Sequence, residues 1–268
     1  MEKFVNIMES DEETLRLDIK TDTKVIERRA MWAGLSPGMR IADLGFGSGK
    51  TTHCLHRLAQ PGGKTVGVDI EKSRIEFAEA NYSGEGIEYH CRDLREPISD
   101  LGLFDFVWVR FVLEYQRSRS VDILNTIGNI LKPGGIICLI DLDYNCMTHY
   151  GIPERLESAL LGTISKLANN ADFDPFVGRK LYTFLYDLEY QEIAVDVFPH
   201  HLIYGDLREV DAFNWTKKIE IAAKNSGYDF AEYGGDYDAF RKEFLESFAN
   251  PRRFTYTPVI CCRGKKPV

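Results

Sequence analysis

Ile41-Ala42-Asp43-Leu44-Gly45-Phe46-Gly47-Ser48-Gly49 decides how this chain is read: an apolar run ending on an acid, glycine at every second position, then helical spacing from Lys50 to Ala59. That order is a strand, a tight loop and a helix. Glycine adopts backbone angles closed to other residues and lets the main chain approach a ligand, and the first turn of the helix leaves N–H groups unpaired for an anion. Upstream, Asp22 or Thr23 caps a helix carrying Val25, Ile26, Ala30 and Ala33, which Gly34 and Ser36-Pro37-Gly38 end. Downstream, Pro61-Gly62-Gly63 turns into a second strand, Thr65-Val66-Gly67-Val68-Asp69, followed by a helix from Ser73 through Ile75, Phe77 and Ala78. Ile87 to His90 is a short third strand before Asp93, and Phe104-Asp105-Phe106-Val107-Trp108-Val109 reads as a central strand buried on both faces. Val121, Leu124, Ile127, Ile130 and Leu131 recur at helical spacing up to Lys132-Pro133-Gly134-Gly135, and Ile136 to Ile140 is a fifth strand ending at Asp141.

Alternating strands and helices over the first 145 or so residues predict an α/β fold: a Rossmann-like, doubly wound, mostly parallel seven-stranded sheet with an antiparallel edge strand. The second half reads differently. Pro153 to Ala168 and Pro175 to Leu188 look helical with no strand between them, then come strand-like Ile193 to Tyr204, a polar helix from Leu207 to Lys224, a helix near Phe240 to Phe248, and a last strand, Phe254 to Arg263. The expected organisation is one domain over 1–268. Its core for a ligand spans 22–145, helical cap insertions fall at 146–190 and 206–250, and late strands near 193–204 and 254–263 complete the sheet.

The 268 residues carry 33 Lys plus Arg against 41 Asp plus Glu, a net charge of −8 that disfavours nucleic acid, because phosphate neutralisation needs a basic face. The same charge disfavours acidic acceptors. Met1 to Lys20 is acidic and lacks the apolar stretch of a signal peptide, and no segment approaches the ~20 apolar residues of a membrane span. Cys54, Cys91, Cys138, Cys146, Cys261 and Cys262 are scattered in a chain too large to need disulfide staples, so a cytoplasmic location is expected.

Three ligands compete for the glycine loop: a dinucleotide, a nucleoside triphosphate and S-adenosylmethionine. The dinucleotide pattern Gly-x-Gly-x-x-Gly/Ala, counted from Gly45 and Gly47, ends on Lys50, the wrong residue for close helix packing. The P-loop ending Gly49-Lys50-Thr51 is present, but its leading glycine falls on Leu44. Lys50 and Thr51 then read as a first-turn helix pair. Ile136 to Asp141 imitates the strand whose terminal acid holds magnesium in P-loop enzymes, which keeps a nucleotide hydrolase as the alternative.

Asp43 through Gly49 resembles the first motif of the class I S-adenosylmethionine-dependent methyltransferases, in which this loop wraps the methionine part of the cofactor. The resemblance implies cofactor contacts from Asp43, Gly45, Phe46, Gly47 and Gly49. It also implies that Asp69, beside Ile70, holds both ribose hydroxyls, and that Asp93 faces the adenine amino group with Arg92 and Leu94 flanking the ring. Phe104 to Glu114 resembles the family's fourth-strand motif, whose end borders the sulfonium and places Arg110 there; Leu131-Lys132-Pro133-Gly134-Gly135 resembles its turn before the fifth strand. These matches cover residues 22–145 in the family's order. They are similar to the subgroup of quinone-biosynthesis and other small-molecule methyltransferases.

Methyl transfer needs alignment and exclusion of water more than a dedicated base, so no catalytic residue is assigned. Absence of an Asn-Pro-Pro-Tyr-type motif after the fourth strand argues against the common nucleic-acid and glutamine N-methyltransferases. By the family's geometry the acceptor pocket draws first on Arg110, Asp143 and Tyr144, with Tyr115, Arg179 and His201 as further candidates beside His149, His200 and Tyr204. His200 and His201 must face opposite sides of their strand. His53-Cys54-x-His56 offers two metal ligands without a third, and Asp141 with Asp143 only hints at a carboxylate site, so no metal is assigned. Tyrosines 182, 186, 190, 228, 233 and 237 with Phe184, Phe240, Phe244 and Phe248 make the second half aromatic, which favours an aromatic or apolar acceptor if some of them line the pocket. The oligomeric state is left open, a homo-oligomer among the outcomes, and a non-catalytic module retaining the same fold is a further alternative.

Overall fold

The computed structural model describes residues 11–144 and 148–268, so Cys146 and the first ten residues of the stretch tested for a signal peptide lie outside it. In chain order the first half runs α1 (Asp11–Lys20), α2 (Thr23–Ala33), β1 (Arg40–Leu44), α3 (Lys50–Leu58), β2 (Lys64–Asp69), α4 (Lys72–Tyr82), β3 (Ile87–Cys91), β4 (Phe104–Arg110), α5 (Ser120–Ile130) and β5 (Leu131–Leu142). The second half adds β6 (Thr148–Tyr150), α6 (Glu154–Asn170), α7 (Leu181–Asp187), β7 (Gln191–Tyr204), α8 (Glu209–Ser226), α9 (Tyr237–Ala249) and β8 (Phe254–Lys265). The strands form one eight-stranded sheet in the order β3-β2-β1-β4-β5-β8, with β7 and β6 both pairing with β8. The first five are parallel, β8 is antiparallel to β5, and β7 closes the edge antiparallel to β8.

Alternation along the central strand explains the two buried faces. Val107 and Val109 join one core with Leu44, Val68, Leu124 and Ile127, while Phe106 and Trp108 join the other with Ile26, Ile41, Leu55 and Ile140. Both ends of α2 are specified locally. The Asp22 carboxylate accepts the Lys24 N–H, and Gly34, at φ 103, returns its N–H to Ala30 and Met31.

Three features differ from the expectation. An additional helix, α1, precedes the first one expected, and the three-residue β6 is an eighth strand. The helix expected from Pro175 to Leu188 is instead a tight turn over Gly178–Lys180 leading into the shorter α7. Asp174 Oδ1 accepts the Phe176 N–H at 3.0 Å, a local turn that competes with helix over those first residues. Val177, Leu181 and Leu185 then join the sheet core, so α7 packs on the sheet, while α6, α8 and α9 build a separate aromatic core around Trp215, Phe230, Phe240, Phe244 and Phe248.

Candidate functional site

Strand order reverses between β1 and β4, and in open parallel sheets a ligand crevice opens at such a point, beyond the carboxyl ends of the strands. A crevice lies there in two lobes that share Gly45, Arg74, Phe111 and Tyr115. The lobe over the glycine loop has a volume of about 200 Å³, and the lobe over the ends of β2 and β3 about 300 Å³.

The loop lobe is walled by Asp43, Gly45, Phe46, Gly47, Ser48 and Arg110. Glycine is required where the chain turns: Gly45 has φ 76, and a Cβ on it would stand 2.3 Å from Val112. Asp43 is 2 % exposed and accepts the Thr52 hydroxyl at 2.7 Å. Burial pushes its carboxyl up to about 7, against the pull of Thr52 and of Arg110. Arg110 closes the end of β4, its guanidinium 4.5 Å over the ring of Phe111. Burial and the nearby Arg29 charge lower it to about 10, and its Nε finds no hydrogen-bond partner among the described residues. Phe111 itself sits at φ 57, strained for a side chain of its size, and meets His200 edge-on at 5.1 Å.

In the second lobe Asp69, 3 % exposed, holds the loop to the end of β2. Its Oδ2 accepts the Gly47 N–H at 3.0 Å, and its Oδ1 accepts the Glu71 N–H at 3.1 Å and Arg74 at 3.4 Å. A carboxylate has about four lone-pair sites, so Oδ2, with one donor, keeps capacity for another. Ile70, Arg92, Asp93 and Leu94 line the same lobe. Asp93 is already engaged: Arg95 grips both its oxygens at 2.6–2.9 Å. Burial opposes its ionisation, but the Arg95 hydrogen bonds outweigh this and hold Asp93 below the usual carboxylate range.

Eleven residues were expected around a cofactor, and all but Gly49 line the crevice; Gly49 caps α3 behind the loop. Of the acceptor candidates, Tyr115 lines both lobes. Asp143, Tyr144 and Arg179 stand outside its walls, drawn together by an Arg179–Asp143 pair at 2.7 Å and by Phe176, on which both Tyr144 and Arg179 stack. His201 reaches the cap core, 5.5 Å from Trp215, while its neighbour His200 lines the crevice. The two do not face opposite sides as expected: a bulge between Pro199 and His201 breaks the strand alternation, and the two rings meet edge-on at 4.3 Å.

Several wall residues have no sequence signal. Arg16, Leu17 and Thr21 come from α1 and its end and Lys218 from α8; Glu114, in the turn after β4, carries no signal beyond closing the fourth-strand stretch. Lys50, the residue that mimics a P-loop lysine, donates to the Asp18 carbonyl at 2.8 Å and pairs with its carboxylate at 3.7 Å, so it anchors α1. Beneath the crevice Asp141 accepts the N–H groups of Leu113, Glu114 and Leu142. Burial and the neighbouring Glu114 raise Asp141 well above the usual range. Arg16, Arg74, Arg110 and Lys218 outnumber Asp43 and Glu114 on the walls of the loop lobe, so the −8 net charge says little about this cavity. The phenylalanine and tyrosine walls are Phe46 from the glycine loop and Phe111 and Tyr115 from the turn after β4, not the tyrosines and phenylalanines of the second half.

Residues 42–139 match a family described as a methyltransferase domain. Among curated proteins the chain is 32% identical over 114 residues to an uncharacterized methyltransferase of Synechocystis sp., covering 40% of this chain and 49% of that protein. It is 28% identical over 116 residues to a demethylmenaquinone methyltransferase of Lactococcus lactis, covering 42% and 46%. The chain thus spans about half the length of these relatives. A solved phosphoethanolamine N-methyltransferase of Haemonchus contortus, in complex with S-adenosylhomocysteine, superposes with a TM-score of 0.61 at 14% identity, over 100% of this chain and 61% of that one, which is a likeness of fold.

Proposed function

We propose that this chain, whose residues 42–139 match a methyltransferase domain, is a class I S-adenosylmethionine-dependent methyltransferase that transfers the methyl group of S-adenosylmethionine to a small-molecule acceptor by in-line displacement. The observation that carries the reading is the buried Asp69 carboxylate, which ties the glycine loop to the end of β2 and lines the crevice. Asp69 would hold the ribose hydroxyls, and Ile70 and Leu94 the faces of the adenine. Asp93, engaged by Arg95, would reach the adenine amino group only through lone pairs that Arg95 leaves. The Arg110 guanidinium, on the wall of the loop lobe, would meet the methionine carboxylate. Asp43 stands where the amino group would lie.

S-adenosylmethionine supplies a methyl group already activated by its sulfonium, so the protein has to position and enclose. Phe111, Tyr115, Leu142 and His200 wall the part of the crevice next to the end of β4, and the acceptor belongs there. The free thiols of Cys54, Cys91, Cys138, Cys261 and Cys262 fit a reducing cytoplasm. No helix among the described residues is long and apolar enough to cross a membrane.

Calorimetric titration of the full chain with S-adenosylhomocysteine tests the reading. A one-to-one complex is expected, with no heat from magnesium ATP; ATP binding without S-adenosylhomocysteine binding reverses the assignment in favour of a nucleotide hydrolase.

Asp43 adds a pH signature. Its folded value of about 7 lies above the unfolded value of about 3.9, so the folded state binds the extra proton between these limits and loses stability as pH rises through them. A ligand ammonium beside Asp43 favours the carboxylate, so binding near about pH 6 should release up to about one proton. Binding heats compared in two buffers of different ionisation enthalpy read this release. Asp43→Asn should abolish it and flatten the fall in melting temperature of the ligand-free protein between about pH 5 and 8. Equal proton release from the variant excludes Asp43 as the source.

A further inference from the structure

The corner of the sheet formed by β6, β7 and β8 carries its side chains the wrong way round for a surface that faces water. An antiparallel sheet covered on one side ordinarily turns apolar residues inward and polar ones outward. Along β8 the exposures alternate in the opposite sense: Phe254 41%, Thr255 0%, Tyr256 38%, Thr257 0%. The inward threonines lie against rings, Thr255 Oγ1 2.6 Å from His149 Nδ1 and Thr257 Oγ1 3.4 Å from His201 Nδ1, under Trp215 of α8.

On the outer side the register lines up the apolar residues. Tyr204, Phe254 and Tyr150 form one row across three strands, and Leu202 and Tyr256 form the next. Tyr150 is 78% exposed, Tyr204 66% and Leu202 48%. Val197 and Val195 continue the same face along β7, opposite Ile260 and Cys262. No charged residue occupies these positions.

We infer that this face is a contact between two copies of the chain, packed outer face to outer face about a two-fold axis. An aromatic side chain carries roughly 150–250 Å², so with four rings exposed by 38–78% and three half-exposed aliphatic side chains the seven residues present on the order of 600 Å². That reaches the top of the few hundred Å² usual on a monomer and approaches the ~800 Å² per partner of a standard interface. An uncharged apolar face is complementary to itself, which a two-fold contact requires. Pro199, with no N–H to donate, and the bulge beside it interrupt the free edge of β7, so the contact falls on the face and not on edge-to-edge strand pairing. A membrane surface is the lesser fit, since no Lys or Arg stands among these seven residues to meet anionic headgroups.

Sedimentation equilibrium of the full chain from about 1 to about 100 µM tests the contact. A species of twice the chain mass is expected. Tyr150→Lys and Tyr204→Lys, both at exposed positions, should each raise the dissociation constant at least about tenfold. Leu103→Lys, an exposed apolar site elsewhere, should leave it unchanged. Circular dichroism melts establish that each variant is folded. A monomer throughout the range, or a dimer indifferent to both variants, overturns the inference. So does a monomer that co-sediments with phosphatidylglycerol vesicles and loses that binding in the variants, which would make the face a lipid contact.

Discussion

Asp69→Ala should raise the dissociation constant for S-adenosylhomocysteine at least about a hundredfold, the largest effect of any single change in the crevice. Two contributions add. A hydrogen bond to a charged group is worth about 1.5–3 kcal/mol, and each 1.4 kcal/mol is a factor of ten in affinity, so losing a carboxylate that holds ribose hydroxyls costs tenfold or more. The second contribution is intramolecular. Asp69 Oδ2 is the acceptor for the Gly47 N–H, and Oδ1 serves the Glu71 N–H and Arg74, so alanine also releases the loop that would wrap the methionine end. Asp69→Asn separates them. Its amide oxygen still accepts the Gly47 N–H and holds the loop, while its NH2 takes the place of Oδ1 and loses the Glu71 N–H and Arg74 along with the charge towards the ribose, so an intermediate affinity is expected. Asp93→Ala should cost less than Asp69→Ala, because Arg95 already holds the Asp93 carboxylate. An Asp69→Ala protein that keeps its far-ultraviolet spectrum and binds within threefold of the parent removes Asp69 from the site.

The part of the site legible in the sequence is the part that is local. Asp43, Gly45, Gly47, Asp69 and Asp93 are strand ends and the turns that follow them, and the parallel order of the sheet carries those ends to one place. Arg95 sits two residues from Asp93, yet its grip on that carboxylate had no signal, because arginine near aspartate is common and the geometry of the turn decides whether they meet. Glu114 closes the stretch that resembles the fourth-strand motif, yet nothing in that stretch signals that it is 3 % exposed beside Asp141. Burial of that kind depends on which strands adjoin. Helix α1 is ten residues long with Leu15 and Ile19 exposed, so it lacks the apolar periodicity that announces a helix; its position rests on Lys50 and Tyr82 binding Asp18. In β7 and β8 the period-two pattern revealed strands but misled about sides, since polar threonines and a histidine point inward there.

Gly49→Ala is expected to destabilise the protein by about 3 kcal/mol, from two sources that can be measured apart. At φ 89 an L-residue is strained by roughly 1–2 kcal/mol. A Cβ there would also lie 2.6 Å from Ala78 Cβ and 3.2 Å from Ala78 Cα, so α3 or α4 must shift, and overpacking of this sort costs about 1–3 kcal/mol. Gly62→Ala isolates the first source: Gly62 has φ 84 and a methyl group on it would meet nothing within 4 Å, so only backbone strain is added. Ala78→Gly in the Gly49→Ala background isolates the second, since it removes the clashing methyl while leaving φ unchanged. Its own helix cost of about 1 kcal/mol is subtracted through the double-mutant cycle. Urea denaturation should therefore rank Gly49→Ala well above Gly62→Ala, with a favourable coupling between positions 49 and 78. Equal losses at 49 and 62 would mean that α3 and α4 yield to the methyl without cost. Glycine at 49 would then be demanded by backbone angle alone, and the third glycine of the loop would owe nothing to helix packing.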